Sequence, residues 1–376
     1  MVVRCFVFET RGGALLQEVA PSGLQWAESA NKAESIDATF DLNADGAQDW
    51  RSLGAAWKHS IAVDVNGRVL GGPIMPHDFD DSNGSLKLTA RGLRVAFARR
   101  SILPLAALTQ SLTLPNGEPD TSLDSTWSGF DLGTIAKKIG QQACLWPGWT
   151  DIPIVWPDDR AGIRERTFPA IERKNVEDVW SDLSDVQNGP DIRLRLESDG
   201  PDQFQWVFET GTEDTPRLQG PDVFAWEVGQ GSGLSVKTNP SRMGSLAWSQ
   251  GGRADDTTLV RNLYDPLLID RGFPLLEIET SASSNTVLPE TLDAWNAETL
   301  RTASKPWEFW SFNVRSDASP LPFEYGPGSL IDVIVTKDTP VSGGYVPPGT
   351  YRRRVAGMSG AISDWITVTC GEVYDE

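Results

Sequence analysis

The residues best suited to acid–base chemistry are His77, Asp78, Asp80 and Asp81, in the run HDFDD. An imidazole beside carboxylates has the makings of a general base, but covalent catalysis also needs a positioned nucleophile. Neither G-x-S-x-G nor S-x-x-K in a matching context occurs, and Asp80–Gly84 has the chemistry of a hairpin turn, which is the better reading. Glu277 and Glu279 alternate on a possible strand, as a glycosidase pair would, but nothing else supports that role. Asp41-Leu-Asn43-Ala-Asp45-Gly46 opens like a calcium loop, D-x-N-x-D-G; Asp49 suits the ninth position, but the twelfth holds Ser52 where a bidentate Glu belongs. An Asx-rich turn capping a short helix explains the run without an ion. Gly229-Gln-Gly231-Ser-Gly233 lacks both a βαβ entry and the Lys of a phosphate loop, and reads as a turn. The Arg91, Arg94, Arg99 and Arg100 cluster and the run Arg352–Arg354 suit either an acidic partner or ordinary charge balance. No catalytic, cofactor-binding or metal-binding residue is assigned, and no cofactor is expected.

Composition narrows the classes further. Cys5, Cys144 and Cys370 are odd in number and far apart, which argues against a disulfide framework or a zinc site and fits a reducing cytoplasm. Two histidines exclude a histidine-rich metal centre. A net charge of −19 argues against binding phosphate backbones by counterion release. No apolar run approaches a membrane span, and the start lacks the pattern of a signal peptide. The 15 tryptophans, many beside Pro or Gly, suit buried anchors at domain or subunit contacts; sugar-stacking platforms are the alternative.

The elements that must position these residues are mainly strands, given 35 Gly and 25 Pro. Strands are expected at Val2–Glu9, Leu15–Val19, Ser35–Leu42, Ser60–Val65, Val69–Met75 and Ser85–Ala90, with a short helix within Gln48–Trp57. Helices are expected at Leu132–Cys144, with Leu132, Ile135, Ile139 and Ala143 on one face, and at Val176–Val186, N-capped by Asn175. Strands follow at Asp191–Glu197, Gln203–Glu209, Ser232–Thr238 and Gly244–Gln250. A third helix, Glu290–Ala303, should make its contacts through Leu292, Trp295, Ala297 and Leu300. The fold class is mainly β with α+β insertions. The divisions are an N-terminal β-barrel at 1–98, an inserted α/β subdomain at 99–215, a second β-barrel at 216–250 with 306–376, and a mixed, helical insertion at 251–305.

The two ends read as copies of one unit. SIAVDV, its Asn66-Gly67 turn and return strand, then SLKLTARG, parallel SLIDVIVT, TYRRRVAG and SDWITVTCG near the C-terminus. Matching Gly92 to Gly371 leaves the apolar phases one residue out of step.

Over nearly the whole chain the sequence resembles minor tail proteins of long-tailed phages that infect actinobacteria. The resemblance rests on the order of Ala38–Gly46 (ATFDLNADG), Trp57–Val63 (WKHSIAV), Gly72–His77 (GPIMPH), Leu112–Asp120 (LTLPNGEPD), Asn188–Arg193 (NGPDIR), Glu308–Phe312 (EFWSF), Gly349–Arg353 (GTYRR) and the closing Gly371–Tyr374 (GEVY). It implies a baseplate hub at the tail tip of a siphophage virion, built on two tail-tube-like antiparallel β-barrels with inserted subdomains. A homotrimer would then place six barrels around the tail axis, beside the distal tail protein and the tape measure, and let DNA pass without specific binding. Such a protein is structural, assembled in the host cytoplasm, and the family transfers no catalytic residue. The competing expectation is a tail protein that binds or cleaves cell-wall glycan through exposed tryptophans.

Overall fold

The computed structural model describes residues 3–43, 48–186, 189–229, 232–254, 257–280, 289–338 and 340–373. In chain order the N-terminal strands are β1 (Val3–Glu9), β2 (Leu15–Val19), β3 (Gly23–Ser29) and β4 (Ser35–Asp41). Helix α1 (Trp50–Leu53), β5 (His59–Val65), β6 (Arg68–Asp80), β7 (Ser85–Arg91) and α2 (Arg94–Phe97) follow. Next come β8 (Ser125–Phe130), α3 (Leu132–Cys144), β9 (Ile154–Val155), β10 (Ala161–Phe168), α4 (Val176–Asp185), β11 (Ile192–Ser198) and β12 (Phe204–Thr210). Then come β13 (Val223–Glu227), β14 (Ser235–Asn239), β15 (Leu246–Ala254), β16 (Thr257–Tyr264), α5 (Leu267–Asp270), β17 (Glu277–Thr280) and α6 (Pro289–Ala303). The chain closes with β18 (Trp307–Arg315), β19 (Leu330–Val335), β20 (Gly349–Ala361) and β21 (Trp365–Gly371). The protein is mainly β, with few helices. It divides into two compact units, residues 1–233 with 312–369 and residues 234–311 with 370–376.

The duplication is visible in unit 1 as two three-strand units. β5–β6–β7 and β19–β20–β21 each put a 13-residue strand in the middle. The first half of each long strand pairs with the strand before it, Ser60↔Pro73 to Val65↔Arg68 and Leu330↔Arg354 to Val335↔Gly349. The second half of β6 pairs with β7, and β20 neighbours β21. The burial patterns of β7 and β21 coincide when Leu86, Leu88 and Ala90 are matched to Ile366, Val368 and Cys370, all buried. Arg91, not Gly92, is thus the counterpart of Gly371, and the phase conflict of the Gly–Gly match disappears. Gly92 is glycine for another reason: a Cβ there would collide with the Glu34 carboxylate. The first hairpin turns on Asn66-Gly67, both with positive φ (48° and 91°), as a two-residue turn between twisted strands requires.

The core of unit 1 forms where the β1–β5 face meets α3, α4, β11 and β12. Phe6, Phe8 and Ala62 pack with Leu132, Ile135 and Ile139 of α3, Val179 and Trp180 of α4, and Leu194, Trp206 and Phe208 of β11 and β12. Each fully buried side chain of this size contributes about 1.5–3 kcal/mol relative to exposure. Asp131 caps α3 by accepting from Thr134 N at 2.6 Å, and Asn175 caps α4 through Glu177 N at 2.8 Å. Both helices keep their expected faces. Strands expected at Ser232–Thr238 and Gly244–Gln250 run instead over β14 and β15, and β3 stands where no strand was expected.

In unit 2, β15 pairs antiparallel with β16 and parallel with β17, and α6 covers this sheet. Leu292 and Leu300 are buried as expected, but Ala297 is exposed and Asn296 takes the inward position. A polar residue on that face breaks the apolar periodicity from which the contact was read.

Candidate functional site

The sequence-level chemistry disperses in three dimensions. His77, Asp78, Asp80 and Asp81 lie exposed, on the outer half of β6 and in the turn that follows it. Asp80 accepts from both the backbone N and the hydroxyl of Ser82, which holds its carboxyl below the usual range. That is turn chemistry. His59 is buried with Nδ1 3.0 Å from Leu53 O, a packing role. Glu277 and Glu279 are exposed on β17, and Glu277 accepts from Trp248 Nε1 at 3.0 Å. Asp41 accepts from Asn43 N at 3.0 Å, an Asx turn; Asp45 and Gly46 lie outside the described residues. Gly229 and Ser232 close a turn on each other, with Gln230 and Gly231 outside the described residues. Among the described residues no group of three or more His, Cys, Asp or Glu is placed to hold a metal ion.

The basic clusters serve internal contacts. Arg94 is buried, donates to Glu177 and to Ile192 O at 2.8 Å, and so ties α2 to α4 and β11. Arg100 stacks on Trp146 and Trp149 at 4.5 and 5.5 Å, and Arg99 on Trp57 at 5.7 Å. Arg352 pairs with Asp332, and Arg354 donates to Gln219 and Gly328 O. Charge balance, the plainer of the two readings, accounts for these partners.

Two features carry a site that spacing alone did not reveal. The first is a groove of about 850 Å³ beside α3, lined by Trp127, Trp149, Trp156, Leu105, Leu145 and Gln142, among others. Its tryptophans come from β8 and from the loops around β9, and their spacing in sequence carries no period that would have grouped them. All three rings also pack inward, Trp127 on Phe168, Trp149 on Phe97 and Trp156 on Phe208. Polar groups at the rim are already engaged: Gln142 donates to Ser125, and Lys138 pairs with Asp159.

The second feature is a pair of open strand edges. β6 leaves β5 at Pro73, and among the described residues no strand pairs with the outer edge of residues 75–80. Phe79 there is 59% exposed, although its partner Leu86 points into the core. Among the described residues β14 likewise has one neighbour, β18. Unpaired edges of this kind are templates for strand addition.

No family model matches the chain, and no curated protein matches it in sequence. Solved structures do share its fold. The 43 kDa tail protein of prophage MuSo2 from Shewanella oneidensis is similar with a TM-score of 0.57 at 12% identity, over 98% of both chains. A tail protein from Neisseria meningitidis MC58 gives 0.55 at 14% identity, over 98% of this chain and 96% of that one. Prophage tail protein gp18 from Listeria monocytogenes EGD-e gives 0.53 at 10% identity, over 99% and 95%. At these identities the likeness concerns the fold.

Proposed function

We propose that this chain is a structural hub protein at the tail tip of a siphophage, forming a trimeric ring that joins the tail tube to the host-recognition apparatus and lets DNA pass. The observation that carries the reading is the duplicated three-strand unit, β5–β6–β7 and β19–β20–β21, in a fold shared end to end with three phage or bacterial tail proteins. Two similar units per chain match a six-fold tube when three chains surround one axis, and closed cyclic symmetry is the common solution for such rings. In this reading residues 1–98 form the first barrel, 216–250 with 306–376 the second, and 99–215 and 251–305 the insertions. The partners are the distal tail protein, the tape measure and neighbouring tail-tip proteins. Catalysis has no part in it. The excess of 52 acidic over 33 basic residues supplies a net negative wall, which keeps DNA moving because cationic walls gain affinity with each neutralised phosphate.

The tryptophan groove bears on a second reading, in which the tail tip also grips cell-wall glycan. Its three rings are half-buried and packed on phenylalanines, which suits anchoring the insertion better than an open stacking platform. Antibodies against the purified chain distinguish the main reading directly. Labelling confined to the distal end of intact tails is expected, and labelling of the capsid or of no virion part contradicts it.

A further inference from the structure

Strand pairing within the chain supplies a rule for a contact between copies. β3 seals one edge of β20, with Gly357↔Ser29, Met358↔Glu28, Ser359↔Ala27, Gly360↔Trp26 and Ala361↔Gln25. β20 matches β6 in length and in the pairing of its first half, 349–354 on 68–73; continued through the register shift at Ile74/His77, the match sets its sealed stretch 357–361 on 76–80 of β6. That is the stretch of β6 whose outer edge is open.

The counterpart of β3 follows from the same equivalence. β3 pairs with β4, and β4 with β7. β14 pairs with β18, and β18 neighbours β21. Thr367 Oγ1 donates to Asn313 Oδ1 at 2.9 Å, setting Asn313 beside Thr367 as Thr39 stands beside Lys87. Trp310, Phe312 and Val314 then take the places of Ile36, Ala38 and Phe40, and all six are buried. Ser235–Asn239 of β14 accordingly stand for Gln25–Ser29 of β3. In β3 this stretch has a strand on either side; in β14, among the described residues, it has a strand on one.

We propose that β14 of one copy adds antiparallel to residues 76–80 of β6 in a second copy of this chain, in the register that β3 and β20 display. This rests on the ring reading above and names its contact. The register, fixed only by strand geometry, sets Asp78 opposite Lys237 and Phe79 opposite Val236, with His77 facing Thr238 and Asp80 facing Ser235. Opposite charges and two apolar side chains meet, although neither entered the derivation. Size is complementary as well. In the β3–β20 pair the large residue is Trp26 over Gly360, and a Cβ on Gly360 would press into the indole. In the β14–β6 pair the large residue, Phe79, comes from the other strand and meets the smaller Val236. Phe79 lies across from Leu86 and Val236 across from Trp310, so both belong to the core-facing side of their sheets. Pro76, which has no N–H to give, falls at the start of the contact opposite Asn239, a position an edge tolerates. The two edges differ, so the contact is heterologous and propagates until a ring closes.

Paired cysteines test the register in the full-length protein. Neighbouring cross-strand pairs alternate between wide and narrow Cα spacing, so one of Asp78→Cys with Lys237→Cys or Phe79→Cys with Val236→Cys suits a disulfide. Mild oxidation is expected to give covalent dimers and trimers on denaturing gels for one of these. The slipped pair Asp78→Cys with Val236→Cys, whose side chains point to opposite faces, is expected to give none. Equal linkage of the slipped pair overturns the register. Failure of both in-register pairs in a preparation that light scattering finds trimeric overturns this contact and leaves the ring reading standing. A chain that stays monomeric at its highest soluble concentration, with no linkage, overturns both. A charge cycle decides the matter where cysteine variants fold poorly. Lys237→Glu should weaken assembly a few-fold, and Asp78→Lys in the same chain should restore it; absence of restoration overturns the contact.

Discussion

The ion pair between Glu28 and Arg68 should be the most sensitive polar contact between the two halves of unit 1. Arg68 opens β6 of the first three-strand unit; Glu28 lies on β3, which seals β20 of the second. Arg68 Nη2 donates to Glu28 Oε2 at 2.6 Å, Nε lies 2.5 Å from Oε1, and Nη1 donates to Tyr325 O at 2.7 Å and Pro322 O at 3.2 Å. The side chains are 10% and 4% exposed, so neither charge has water to fall back on. Removing one partner of such a pair costs about 3–5 kcal/mol, because the other charge stays buried and unpaired. Glu28→Ala and Arg68→Met should each lose that much. The double variant should lose only about 1–3 kcal/mol, the cost of the two carbonyls left without a donor. The singles therefore sum to well over the double, with a coupling energy of at least about 3 kcal/mol. Urea unfolding followed by tryptophan fluorescence, at equal protein concentration, measures all four corners of the cycle. The losses should also survive raised salt, which screens exposed pairs far more than buried ones. Additive losses, or either single within about 1 kcal/mol of the parent, would refute the reasoning, since that is the range of an exposed pair.

Three further outcomes follow from burial and close packing. Burial pushes the Glu34 carboxyl up to about 7, the effect of Arg94 and Arg193 only partly offsetting it. Its folded value lies above its unfolded one, so the stability it contributes is fully present below the ordinary carboxylate range and is lost as pH rises through about 7. Glu34→Gln should therefore exceed the parent at about pH 8 by on the order of 3 kcal/mol and match it near pH 4, a difference read from paired urea titrations. Burial likewise drives the Cys5 and Cys144 thiols up to about 12 and encloses Cys370, so a thiol reagent should label the native protein slowly and all three cysteines once it is unfolded. Fast labelling of the native chain would contradict the packing. Gly72→Ala should be severely destabilising, by at least about 2 kcal/mol, because its Cβ would strike Arg91 O where β6 crosses to β7; a circular-dichroism melt close to that of the parent would count against this account of the crossover.

Much of the scaffold was legible because its signals are local. Asp131 and Asn175 cap helices whose apolar residues recur at helical spacing, and both helices formed with those faces buried. Asn66-Gly67 marked its hairpin because few residues accept two successive positive φ angles. β3 escaped because Gly23, Gln25, Glu28 and Ser29 dilute its pattern, and Glu28 is buried only through Arg68, more than thirty positions away. The equivalence of the two three-strand units was visible but set one residue off, since Gly92 drew the match although it answers to Glu34. Asp80–Gly84 was read as a hairpin turn, and Asp80 does close on Ser82 there, but His77–Asp80 belong to β6, and the open edge beside them depends on which strands pair, which sequence alone does not encode locally. The tryptophan groove was hidden for the same reason: its rings converge from segments with no shared period.

The central claim is that this chain is a tail-tip hub, and a cryo-EM reconstruction of the intact tail end tests it most directly. The account predicts three copies in one ring at the distal end of the tube, each contributing two similar β units to a six-fold arrangement, with a net negative inner wall. Six copies, a single copy off the axis, or a lumen dominated by Arg and Lys would contradict it.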